Sequence, residues 1–159
     1  MREARTLGSW VLALFIAAML VWIASDTLIP AVGTRNHLFP LLAETSGISY
    51  FEPTGRFVAG VLEVLAALLI FLPFTRRIGA FLALLIMALL SALLVQLMML
   101  SVPIPVDSVG QAGQVTTSST DASGPFYLTL GLVIAAIILI VVHPGGGDHA
   151  RSGNDYYTR

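Results

Sequence analysis

The chain contains no lysine and no cysteine, and only 11% of its 159 residues carry a formal charge. Soluble domains carry roughly 25% charged residues, so the scarcity of charge excludes an ordinary solvated globule. The missing cysteines exclude disulfides and dithiol chemistry, and with them the thiol-oxidising four-helix membrane enzymes. Histidine is nearly as scarce, with three copies. His37 falls between apolar runs, and His143 and His149 lie at or beyond the end of the last one, so none is placed to ligate haem inside a membrane. With Asp148, the two tail histidines are too few and too widely spaced by glycine for a metal site, and no bound metal is expected. Eight arginines without a cluster give no basis for nucleic-acid binding. Phosphate loops, zinc spacings, nucleophile elbows and dinucleotide fingerprints are absent.

What the sequence does contain is apolar: 57% of the residues are hydrophobic, and the mean hydropathy is +0.89. Four runs, 10–29, 57–74, 78–100 and 125–142, reach the roughly 17 to 25 residues that cross a bilayer. They predict an all-α integral membrane four-helix bundle over residues 1–143, followed by a disordered cytoplasmic tail, 144–159. Arg2 and Arg5 precede the first run as in a signal peptide. That run exceeds the usual apolar core of such a peptide and lacks a clean small-x-small site, so it is expected to be retained.

Arginine sets the expected orientation. Arg2 and Arg5 precede span 1, Arg76 and Arg77 fill the turn between spans 2 and 3, and Arg151 and Arg159 lie in the tail. These regions, and hence both termini, are expected on the cytoplasmic side. The opposite side then holds the 31–55 connection, with Arg35 and Arg56 at its ends, and the 101–124 connection, which has Asp107 and Asp121 and no basic residue. Trp10 at one interface and Tyr50, Phe51, Phe126 and Tyr127 at the other fit aromatic belts. The 37–51 stretch is too apolar for a solvated loop and predicts a short amphipathic or re-entrant segment at the bundle mouth. The 101–124 connection, beginning Val102-Pro103-Ile104-Pro105 and turning rich in Ser and Thr, reads as a flexible extracytoplasmic loop.

Glu63 is the residue that asks for an explanation, because span 2 is otherwise uncharged and a carboxylate there is costly. Arg56, two helical turns earlier on the same face, is its expected partner. Small residues mark the faces expected to pack inward: Ala59, Glu63 and Ala67 beside Gly60 in span 2; Ala88, Ala92 and Gln96 in span 3; Tyr127, Gly131 and Ala135 in span 4. Asp26, Gln96, Tyr127 and Glu63 would then converge on the outer half of the bundle, above an apolar cytoplasmic half. Each has a plainer reading. Asp26 suits a solvated helix end, Arg56 an interfacial anchor, Gln96 an interhelical hydrogen bond, Tyr127 a belt residue, and Arg56 with Glu63 a register-fixing ion pair.

The run Glu52-Pro53-Thr54-Gly55-Arg56-Phe57-Val58-Ala59-Gly60-Val61-Leu62-Glu63, followed by Leu72-Pro73 and Thr75-Arg76-Arg77-Ile78-Gly79-Ala80, resembles the DoxX-like membrane proteins. Their signature of arginine, glycine and glutamate at the start of span 2 matches Arg56, Gly60 and Glu63. The resemblance covers residues 37–90 and implies a four-helix bundle of the bacterial cytoplasmic membrane. It further implies a small accessory or anchoring subunit of a quinone-linked respiratory or sulfur-redox oxidoreductase. The resemblance leaves open whether such a subunit is itself catalytic or only accessory; it implies no covalent cofactor, a quinone as the candidate ligand, and contact with the lipid bilayer and either a membrane protein partner or further copies of itself. Glu63 and Arg56 are the expected pocket, with Gln96, Tyr127, Asp26 and Gly60 lining it. A small proton- or cation-coupled transporter and a purely structural membrane scaffold are the alternatives.

Overall fold

The computed structural model describes residues 2–29, 37–109 and 115–142. Arg35, the tail beyond Val142 and its histidines lie outside the described residues, as do the expectations attached to them. The fold is an all-α membrane bundle. Its elements are α1 (Arg2–Leu28), α2 (Leu38–Ser46), a 3₁₀ turn (Ser49–Phe51), α3 (Thr54–Phe71), α4 (Arg76–Met99), strands β1 (Ile104–Val109) and β2 (Val115–Thr120), and α5 (Ser123–Val142).

Helices α1, α3, α4 and α5 are long and apolar enough to cross a membrane. Their outward faces carry large apolar side chains such as Phe15, Trp22, Leu85, Leu89 and Val141, all exposed. Water would penalise such a surface, and lipid does not, so the chain is a multi-pass membrane protein in contact with the bilayer. The helices close a ring in which α1 packs on α3, α3 on α4, α4 on α5 and α5 back on α1. Ile16, Leu20, Ala66, Ile70, Ala83, Met87, Leu132 and Leu139 fill its centre.

Local chemistry fixes where the helices stop. Leu72 precedes Pro73, whose ring disfavours helical backbone at the residue before it. Leu72 is accordingly extended, at φ −79° and ψ 121°, and α3 ends three residues short of the run that hydropathy alone outlined. The reversal into α4 is tight. Thr75 Oγ1 donates to Leu69 O at 2.9 Å, and a Cβ at Gly79 would stand 2.5 Å from Ile70 N and 2.8 Å from Leu69 C. Only glycine lets the backbones of α3 and α4 approach so closely.

That contact sets the inward face of α4 and corrects two expectations. The buried residues of α4 are Arg76, Gly79, Ala80, Ala83, Met87, Ser91, Leu94 and Leu97, whereas Ala88, Ala92 and Gln96 are exposed. In α5, Thr129, Leu132, Ala135, Ala136 and Leu139 are buried, while Gly131 and Tyr127 face outward. Span 3 carries alanines on two faces, so small residues alone do not choose between them; the close approach at Gly79 and a buried hydrogen bond from Ser91 to Thr129, 2.8 Å long, do. In α3 the expected face is correct, with Gly60, Glu63, Ala66 and Ala67 buried.

Helix α2 and the β1–β2 hairpin cap one end of the bundle. Helix α2 buries Leu38, Phe39 and Leu42 and ends on Gly47 at φ 70°, the left-handed position that glycine takes without penalty. This is the amphipathic segment that the sequence predicts. The 101–124 connection departs from expectation, because β1 and β2 pair antiparallel from Ile104↔Thr120 to Val109↔Val115. Its Val, Ile and Thr content favours strand, and Pro105 is tolerated because a two-stranded ribbon consists only of edges. A lone hairpin is marginal in water. This one is anchored, since Ile104 and Ala122 join Leu38, Leu42, Leu94 and Leu97 in an apolar cluster beneath it.

Candidate functional site

Glu63 occupies the middle of α3, nine residues after Thr54 and eight before Phe71. At about 1.5 Å per residue it lies roughly 13 Å from either end of the helix. Its side chain is 2% exposed, and Oε2 is enclosed without a hydrogen-bond partner. Burial therefore agrees with the sequence reading, and the partner does not.

Arg56 turns away from Glu63. Its Nε lies 3.1 Å from Glu52 Oε1, and its guanidinium carbon stands 5.5 Å from the centre of the Phe57 ring. Glu52 is four residues before Arg56, one turn away at the helix entrance, whereas Glu63 is two turns deeper in hydrocarbon. A long basic side chain reaches towards the interface rather than the bilayer centre. The Glu52 contact is close but not well aligned, because neither Arg56 Nε nor Glu52 Oε2 completes a hydrogen bond. Gly60, the third signature residue, packs against α1, where a Cβ would meet Leu28 Cγ at 2.5 Å. Arg56 thus pairs with Glu52 rather than with Glu63, and Gly60 faces α1.

The end of the bundle beneath α2 and the hairpin contains a cavity of about 950 Å³, built from other elements. Trp22, Ser25, Asp26 and Ile29 at the end of α1 form one wall. Leu90 and Leu94 of α4 form the floor, Gly124, Leu128 and Thr129 of α5 the far wall, and Ile104, Pro105 and Thr120 of the hairpin the roof, with His37 and Leu38 closing the side. Of the residues predicted to line a pocket, only Asp26 reaches this one. Tyr127, 67% exposed, faces outward beside Phe126 with the ring centres 5.5 Å apart, which is the arrangement of an interfacial belt. Gln96 is exposed on the lipid side of α4.

Buried polarity also appears at residues outside the expected site. Arg76 is 2% exposed. Its Nε donates to Ile70 O at 3.0 Å, and its Nη1 donates to Ser9 Oγ at 3.4 Å. The guanidinium carbon lies 4.0 Å from the centre of the Trp10 ring. Arg76 thus caps the carboxyl end of α3, where unpaired carbonyls and the helix dipole favour a cation, and it ties that end to α1. The signal for this role is the tight turn implied by Pro73 and Gly79, which leaves the first arginine of the pair facing inward and Arg77 exposed. The Ser91–Thr129 bond was legible only as two hydroxyls in apolar runs.

Among the described residues no group of His, Asp or Glu is placed to hold a metal ion. The chain matches no family model, no curated protein and no solved structure.

Proposed function

We propose that this protein is a DoxX-like accessory subunit of a quinone-linked redox complex in a bacterial cytoplasmic membrane, with both termini in the cytoplasm and the outer cavity as the seat of the quinone ring. The observation that carries this reading is the cavity itself. Its volume of about 950 Å³ falls within the range of small-molecule sites, roughly 300 to 1,000 Å³. Leu38, Leu90, Leu94, Ile104 and Leu128 give it apolar walls suited to a ring and the start of an isoprenoid chain, and Asp26 supplies a polar anchor at the rim. Trp22 and Ile29, both exposed on the lipid-facing side of α1, border the cavity and offer a lipid-soluble molecule a way in from the bilayer. A quinone fits these residues. When bound, it supplies the electron and proton carrying; the protein's own groups orient it and hold its oxygens near the outer interface.

The transporter reading has less support. Ile16, Leu20, Ile70, Met87 and Leu139 fill the bundle on the side away from the cavity with apolar packing. The test is to extract native membranes in mild detergent, isolate the protein, and identify co-purifying proteins and quinones by mass spectrometry. A redox enzyme recovered in stoichiometric amount together with quinone is the expected result. Gly124→Phe supplies the control: Gly124 lines the cavity and a Cβ there meets nothing within 4 Å, so a ring is accommodated at the cavity wall, and quinone should be lost while the partner stays. Recovery of the wild-type chain alone, free of quinone, would overturn the proposal.

A further inference from the structure

The side-chain hydroxyls lining the cavity are mostly committed as donors. Ser25 Oγ donates to Trp22 O at 2.7 Å, and Thr129 Oγ1 donates to Phe126 O at 2.9 Å while accepting from Ser91. Thr120, on the hairpin roof, remains. The one acidic side chain among the described lining residues is Asp26, and an ionised carboxylate only accepts hydrogen bonds. It stands in the last turn of α1, where the final carbonyls also lack helical partners and the dipole is negative. Across the cavity, Gly124 lies in the first turn of α5, where a backbone N–H has no intrahelical acceptor.

A ligand matched to these walls donates a hydrogen bond towards α1 and accepts one towards α5. A phenolic hydroxyl does both, whereas a quinone carbonyl only accepts and leaves the exposed Asp26 carboxylate to water. We infer that the cavity discriminates between redox states, and that Asp26 holds the hydroquinone through its hydroxyl more tightly than the same wall holds the quinone. The inference rests on the quinone reading above and adds the direction of preference. A site that holds the hydroquinone more tightly than the quinone raises the reduction potential of the bound couple.

The experiment measures binding of a benzoquinone bearing one isoprenoid unit, and of its hydroquinone kept reduced under anaerobic conditions, to the full-length protein in lipid nanodiscs. Wild type should prefer the hydroquinone by on the order of tenfold, the size of one hydrogen bond to a charged group. Asp26→Asn should bring the two affinities within about threefold of each other, because an amide donates as well as accepts. Glu63→Gln, outside the cavity, should keep the wild-type preference. Equal affinities in the wild type, or a preference that survives Asp26→Asn, would overturn the inference and leave quinone binding standing. Failure of both forms to bind the wild type would overturn the quinone reading and the inference together.

Discussion

The two buried charges, Glu63 and Arg76, behave in opposite ways, and neighbouring backbone explains the difference. Arg76 lies at a helix terminus, where free carbonyls and Ser9 accept from it; Glu63 lies in mid-helix, where every nearby amide is already used and Oε2 meets no donor. A buried polar atom without a partner costs about 1 to 3 kcal/mol, so Glu63→Leu should raise resistance to thermal unfolding in detergent by an amount of that order. A sharp loss of stability would show that Glu63 has a partner. Removing Arg56 and Glu63 together should give additive effects. The Glu52–Arg56 pair, which is partly buried, should instead show a coupling of about 0.2 to 1 kcal/mol in a double-mutant cycle. Glycine gives a second contrast. Gly79→Ala puts a methyl against backbone of α3 and should destabilise by about 1 to 3 kcal/mol. Gly131→Ala, which meets nothing within 4 Å, should leave the melting temperature unchanged or slightly raised. The sequence identified Glu63 as buried because an isolated carboxylate among apolar residues is conspicuous. It did not identify the partner of Arg56, because residues 52 and 63 are both reachable on a helix and the depth at which the arginine chooses between them depends on where α3 begins.

Among the elements, the four spans and α2 were legible because hydropathy over about 20 residues is the strongest signal a membrane sequence carries. The hairpin was not. Six-residue strands in a Ser- and Thr-rich stretch have no interior of their own, and what holds them is the distant cluster of Leu38, Leu42, Leu94 and Leu97. The inward faces of α4 and α5 were equally hidden, since lipid accepts alanine and glycine as readily as a helix interface does. The dependence of the hairpin on that cluster is testable. Ile104→Asp removes its buried anchor and introduces a charge where no partner waits, so the backbone amides of β1 and β2 should lose protection from hydrogen exchange while α3, α4 and α5 keep theirs. Protection retained in the strands would mean that pairing alone sustains them. Because Ile104 also roofs the cavity, the same variant should bind quinone more weakly.

For the molecule as a whole, orientation decides what the cavity can do, and the structure changes the weight of the charges from which orientation was read. Arg76 is drawn into the bundle and committed to the end of α3, and Arg56 on the opposite face is opposed by Glu52. In the proposed orientation Arg2, Arg5 and Arg77 lie on the cytoplasmic side and Arg35 and Arg56 on the side of the cavity, and the proposal rests on that narrow arginine asymmetry. The absence of cysteine makes the measurement clean, since any introduced thiol is the only one in the chain. Ser119→Cys, on exposed β2, should react with a membrane-impermeant maleimide in intact cells. Phe74→Cys, in the exposed turn between α3 and α4, should react only after the cells are permeabilised. The reverse pattern would turn the cavity towards the cytoplasm and overturn the proposed orientation. Labelling of both from outside would contradict the passage of α4 across the membrane, because 24 residues of helix separate the two sites and span about 36 Å, enough to cross the hydrocarbon core.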